Sequence, residues 1–106
     1  MINGYCIGGG VGVAVCCDIR ICADNARFAI PAAKLGLGYG YEHIRNLSDL
    51  VGPSRAKEIF FTARHFNAEE ALQMGLVSRV VSGSILQPYV DDYAETIAAN
   101  APLTVA

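Results

Sequence analysis

Three consecutive glycines, Gly8, Gly9 and Gly10, stand between a short apolar segment and a run of small apolar residues that can turn helical. Glycine admits positive φ and lets a ligand approach the backbone, but it weakens a helix interior. Three in a row at a strand-to-helix junction therefore suggest bare amides presented to something electronegative. The first N–H groups of a helix have no partner inside it, and the helix dipole adds partial positive charge at that end. Such a junction suits an oxyanion hole or an anion cradle. The glycines alone leave a second reading open, a tight turn that lets the helix pack closely on the strand. A dinucleotide-binding turn fits poorly, because the spacing is not G-x-G-x-x-G and no acidic residue closes a second strand about twenty residues on.

Thiols are the other concentrated chemistry. Cys6, Cys16, Cys17 and Cys22 crowd the first quarter of the chain, two of them adjacent. A disulfide framework spreads its cysteines, and a zinc site wants C-x-x-C pairs or nearby histidines. His43 and His65 are far apart and unpaired in sequence. The expectation is four buried, reduced thiols acting as small hydrophobes, and no metal.

A chain of 106 residues is about one small domain. It is 53% hydrophobic and 17% charged, more apolar than a typical soluble domain. That surplus predicts apolar surface covered by another chain or by a missing part of this one. The net charge is −2 and the lysines and arginines are scattered, unlike the basic stripe of a nucleic-acid binder. No stretch reaches the ~18 apolar residues of a membrane span, and no charged n-region precedes a signal-like core. The expectation is a cytoplasmic protein with neither nucleic acid nor membrane as partner.

The elements that must position the glycines follow from local pattern. Val11 to Cys17 reads as a buried helix turning into a strand. Asp18 to Cys22 alternates polar and apolar, a strand signal. Residues 23–26 form a turn, and Arg27 to Ile30 is a second strand ended by Pro31, so that the two strands predict a hairpin. Residues 35–41, with three glycines and two tyrosines, predict a loop. Helices follow: one with Ile44, Leu47, Leu50 and Val51 at helical spacing, stopped at Gly52-Pro53, and one over Ser54–Ala63 with Ala56, Ile59, Phe60 and Ala63 on one face. Asn67 and Glu70 predict a capping box, and Gly75 a helix stop. A strand over Leu76–Val81, a turn at Ser82-Gly83 and a helix from Ile85 to Asn100 complete the pattern, the last carrying Leu86, Val90, Tyr93 and Ile97 on its apolar face. Pro102 breaks that helix, and the final residues open another.

The ordered combination INGYCIGGG, CDIRICADNARFAIP, LGLG, LVGPSRAKEIFFTAR and NAEEALQMGLVSRVV resembles the crotonase (enoyl-CoA hydratase/isomerase) superfamily over essentially the whole chain. The resemblance implies an α/β fold, a crotonase-like spiral of ββα units. It implies that residues 1–106 are a single partial domain, the central portion, without the family's N-terminal half and C-terminal helices. It also implies a homo-oligomer, a trimer or hexamer, acting on acyl-CoA thioesters. Coenzyme A then arrives as part of the substrate and no separate cofactor is needed. The family's shared chemistry stabilises an enolate-like thioester oxygen with two backbone amides. The resemblance places one at Gly9, flanked by Gly8 and Gly10. The other belongs to an upstream A-G-x-D-type loop that this chain does not contain.

Hydratases of this family hold a water between two glutamates. One follows the glycine triplet by two residues, where this chain has Gly12; the other follows the proline of a G-Q-P-E pattern, where Pro31 is followed by Ala32. Neither replacement can transfer a proton, and general acid–base catalysis contributes a factor of about 10²–10⁴. The resemblance directs attention to Gly38–His43, where relatives such as aryl-CoA dehalogenase-like enzymes carry alternative catalytic groups. Glu42 and His43 could supply a carboxylate and an imidazole, with Tyr39 or Tyr41 donating a hydrogen bond or walling the acyl pocket; Pro31 joins the substrate-binding residues. The plain alternative has Glu42 favoured by a helix dipole and His43 exposed beside it. The implied reaction is isomerisation, decarboxylation, carbon–carbon cleavage or dehalogenation. The competing hypothesis is a non-catalytic, truncated or degenerate member kept as a fold core. Asp18 and Arg20 read as strand-edge or subunit-contact residues; Arg55, Lys57 and Glu58, and likewise Asp91, Asp92 and Glu95, read as solvated helix faces.

Overall fold

The computed structural model describes residues 1–31, 41–100 and 102–105, and at 41–43 and 105 only the path of the backbone. Strand β1 (Tyr5–Ile7) leads through Gly8 into helix α1 (Gly9–Ala14), followed by β2 (Ile21–Ala23) and β3 (Arg27–Ala29). Helices α2 (Tyr41–Val51) and α3 (Pro53–Thr62) come next. Then follow β4 (Phe66–Asn67), α4 (Ala68–Met74), β5 (Arg79–Val81), α5 (Leu86–Ala99) and α6 (Pro102–Val105).

Two sheets result. One has the order β1-β3-β4, with β1 and β3 parallel (Cys6 opposite Phe28) and β4 antiparallel to β3 (Phe28 opposite Phe66). The other pairs β2 with β5 in parallel, Cys22 opposite Val80, and Ile2 bridges Cys22 on its far side.

The hairpin expected of β2 and β3 does not form. The Ala26 N–H donates to the Ala23 carbonyl in a tight corner, and the flanking amides then look elsewhere: Asp24 N–H to Val81 O, Arg27 N–H to Gly4 O. With Ala23 and Ala26 both fully buried, that corner carries the chain from one sheet to the other. Each strand satisfies its ladder with a partner distant in sequence, which local alternation does not reveal.

The strands are also shorter than their apolar runs. Residues 18–20 precede β2, and Leu76 and Val77 are buried ahead of β5 without joining it. The two-residue β4 has no periodicity to betray it.

The helix signals hold. α3 starts with Pro53 after Gly52 at φ +86° and stops at Ala63 in the left-handed region. It buries Ala56 and Ile59 while Arg55, Lys57 and Glu58 face solvent. The capping box at α4 is complete: Asn67 Oδ1 accepts from Glu70 N–H at 2.8 Å and Glu70 Oε1 accepts from Asn67 N–H at 3.2 Å. Gly75, at φ +84°, ends that helix, with its N–H on Leu72 O. Tyr41, expected in a loop, opens α2; the rest of residues 35–41 lies outside the described residues.

The main core gathers β1, β3 and β4 with α1 to α4, around Phe28, Phe66, Ile30 and Leu47, and takes in Cys22 of β2 with Val80 of β5 packed against it. A smaller cluster of Ile21, Ala23 and Leu86 lies between the second sheet and α5. Of the predicted apolar face of α5, Leu86 is buried, Val90 and Tyr93 are half-buried and Ile97 is exposed.

Two of the four thiols also depart from expectation. Cys6 and Cys22 are buried, whereas Cys16 and Cys17 are exposed. α1 ends at Ala14, so the turn that follows lifts both side chains onto the surface, where each sulfhydryl donates to the carbonyl four residues back.

Candidate functional site

The glycine junction is built at the C-terminal ends of two parallel strands, the position where α/β sheets open toward ligands. Gly8 N–H donates to Ala29 O at 2.7 Å, extending the β1–β3 ladder one residue past Ile7. Gly8 then takes φ +55°, ψ −113°, a conformation essentially closed to residues with a Cβ. That turn swings its carbonyl round to accept from Val11 and Gly12 N–H at 3.0 and 3.2 Å, closing the first turn of α1. The N–H groups of Gly9 and Gly10 come before the first internal bonds; among the described residues neither donates to a protein acceptor.

Side-chain space separates the three glycines. A Cβ on Gly8 would reach Pro31 Cδ at 3.9 Å, and one on Gly10 would reach Cys6 Sγ at 3.8 Å, both ordinary contacts. One on Gly9 would meet nothing within 4 Å among the described residues. Gly8 is thus required by backbone geometry, whereas neither φ nor packing against the described residues requires glycine at position 9.

Pro31 follows the buried end of β3 and stands beside Gly8, so Gly8, Gly9, Gly10 and Pro31 share one edge of the sheet. Gly12 lies buried in α1. Tyr41, Glu42 and His43 form the first turn of α2, but their side chains, together with Tyr39 and Ala32, lie outside the described residues.

The buried thiols are poor nucleophiles. Burial pushes Cys22 up to about 11, with the charges of Cys6 and Asp24 adding to it, and burial alone raises Cys6. Among the described residues no group of three or more His, Cys, Asp or Glu is placed to hold a metal ion, and no helix is long and apolar enough to cross a membrane.

Arg20, expected at a strand edge or a subunit contact, is drawn into this chain's own interior. It is 7% exposed, its Nε donating to Leu76 O at 2.6 Å and its Nη1 to Cys17 O. No local signal marked it: Arg20, Ile21 and Cys22 are buried in succession, against alternation, and the carbonyl partner at Leu76 is 56 residues away.

A strand-turn-helix that leaves amides at the C-terminal ends of two parallel strands defines the class of site. The profile of the enoyl-CoA hydratase/isomerase family matches residues 1–106. A short-chain-enoyl-CoA hydratase of Clostridium acetobutylicum is 44% identical over 104 residues, covering 98% of this chain and 40% of the relative. A crotonyl-CoA hydratase of Syntrophomonas wolfei is 42% identical with the same coverage. The crystal structure of an enoyl-CoA hydratase/carnithine racemase from Magnetospirillum magneticum superposes with a TM-score of 0.94 at 36% identity, over 98% of this chain and 40% of that one. This chain belongs to the enoyl-CoA hydratase/isomerase family and has a partial crotonase-like α/β fold. It spans about 40% of the length of the curated relatives it matches.

Proposed function

We propose that this chain carries the oxyanion site of an acyl-CoA-processing enzyme, in which the Gly9 N–H donates to the thioester oxygen as negative charge develops there. The observation that carries the reading is the pairing at Gly9 of an uncommitted amide with open space in front of its Cα. One such donor is worth about 10²–10³ in turnover. Coenzyme A is part of the substrate. Gly8 and Gly10 shape the bend, while Pro31, Tyr39 and Tyr41 wall the acyl group.

Proton transfer by the two-glutamate route does not fit Gly12 and Ala32. We therefore assign the acid/base work to Glu42 and His43, whose backbone opens α2. The reaction within the family is then an isomerisation, decarboxylation, carbon–carbon cleavage or dehalogenation, carried out by a cytoplasmic homo-oligomer.

Gly12, buried where the resemblance expects a carboxylate, favours a second reading, a family member that keeps the fold without the chemistry. Calorimetric titration with an acyl-CoA thioester separates the two: saturable heat supports the enzyme, and no heat at millimolar ligand removes it. Gly9→Ala sharpens the test. Its Cβ meets nothing among the described residues and restricts the unfolded chain, so stability rises by about 0.4–1 kcal/mol while acyl-CoA binding weakens. Unaltered binding in that variant argues against an amide role for Gly9.

A further inference from the structure

We infer that Arg20 is a positioning residue for the Gly9 amide, acting through the length of α1; the inference rests on the oxyanion reading of Gly9. α1 has six residues, three of them glycine, and a helix so short and so glycine-rich does not hold its shape by propensity. It must be fixed at both ends. The N-terminal end is hooked to β3 by the Gly8–Ala29 hydrogen bond.

The C-terminal end continues as a tightened turn, Cys16 N–H on Val13 O and Cys17 N–H on Ala14 O, both at 3.1 Å. Its last carbonyl, that of Cys17, receives the Arg20 guanidinium, which also donates to Leu76 O at 2.6 Å. Arg20 is in turn anchored by its backbone: Ser78 N–H donates to Arg20 O at 2.7 Å, and Arg20 N–H donates to Ser78 Oγ at 3.4 Å. The residues after α4 thus hold the far end of the helix that begins at Gly9.

Burial singles this arginine out: among the described residues it is the charged side chain that is buried, and its guanidinium donates to carbonyl oxygens, while the ion pairs belong to Arg45 and Arg64. A buried charge without a carboxylate at ion-pair distance is costly. What arginine supplies in exchange is a rigid fork that reaches two carbonyls on separate segments, which the single ammonium of lysine does not reproduce. Its charge also sits past the C-terminal end of α1, where the negative pole of the helix favours a cation. Close packing does not replace the clamp on that flank, since a groove of about 180 Å³ runs past Gly10, Val13, Ala14 and Cys17 to Arg20.

The test is the ¹H–¹⁵N resonance of Gly9 in the ligand-free protein, compared between wild type, Arg20→Lys and Arg20→Ala. We expect folded Arg20→Lys to displace the Gly9 and Gly10 resonances while β3 and α5 amides stay in place. We expect a low, non-denaturing concentration of guanidinium to move Arg20→Ala back toward wild type. A residue that only stabilises the fold would lower the melting temperature and leave those two native resonances unmoved, and that result overturns the inference. Failure of both variants to fold even with guanidinium also overturns it, by making Arg20 a requirement of folding alone. Because this readout needs no ligand, a wild-type protein that ignores acyl-CoA would sink the oxyanion reading separately from the clamp.

Discussion

Phe28 and Phe66 face each other across β3 and β4 at 2% and 1% exposure, whereas α5 on the other sheet buries Leu86 and leaves Ile97 38% exposed. Among the described residues the three-stranded sheet shares one continuous core with four helices; the two-stranded sheet enters that core through Cys22 and Val80, but its α5-facing side rests on a cluster of three buried residues. The glycine junction is fastened to the first of these, through Ala29, which is 1% exposed. The proposed role of the Gly9 amide, meeting developing charge, needs a backbone that does not yield, and the junction lies on the side of the molecule where the packing is dense.

Truncations break this comparison most strongly. Phe28→Ala should cost about 3–5 kcal/mol and Leu86→Ala about 2 kcal/mol, near the low end for buried leucine because its surroundings can collapse. Chemical denaturation measures both. Native-state hydrogen exchange should show Leu86→Ala opening α5 while β3 and β4 stay protected. Equal loss of protection everywhere would mean one cooperative unit instead of a dense one and a thin one.

Gly8→Ala comes next. Its Cβ would find only an ordinary contact with Pro31, so the penalty is the backbone conformation itself, about 1–3 kcal/mol, and it would fall at the junction. A neutral effect would mean that the bend relaxes without loss.

The smallest effects belong to the α4 cap. Asn67→Ala should cost about 1 kcal/mol. Hydrogen bonds from the Arg64 guanidinium and the Asn67 N–H hold the Glu70 carboxyl below the ordinary carboxylate range. A depressed folded value gives stability that is present above the unfolded value of about 4.3 and is lost as pH falls through the folded one. Glu70→Gln should flatten part of that acid limb in a thermal-melt series, and an unchanged profile would remove Glu70 from it.

Local signals were legible in the sequence. Asn67, Glu70 and Gly75 act within a single turn, and the Gly52-Pro53 stop and the Gly8–Gly10 bend are likewise settled by neighbours. What stayed hidden depends on partners distant in the chain. Arg27 pairs back to Tyr5 and Ile21 pairs forward to Arg79, and nothing in the alternation of residues 18–30 distinguishes those pairings from a hairpin. The same holds for Arg20, whose carbonyl partner at Leu76 is 56 residues away, and for Cys16 and Cys17, exposed because α1 stops one turn sooner than its apolar run. At the site, the triplet revealed its exposed amides, while the vacant space beside Gly9 emerged only with the fold.

The most direct measurement follows the Gly9 amide itself by ¹H–¹⁵N correlation while an acyl-CoA thioester is added. The account predicts that its proton resonance moves downfield, as for an N–H taking up a strong acceptor, with the largest displacement in the chain. Saturable binding that leaves the Gly9 resonance where it was would contradict it.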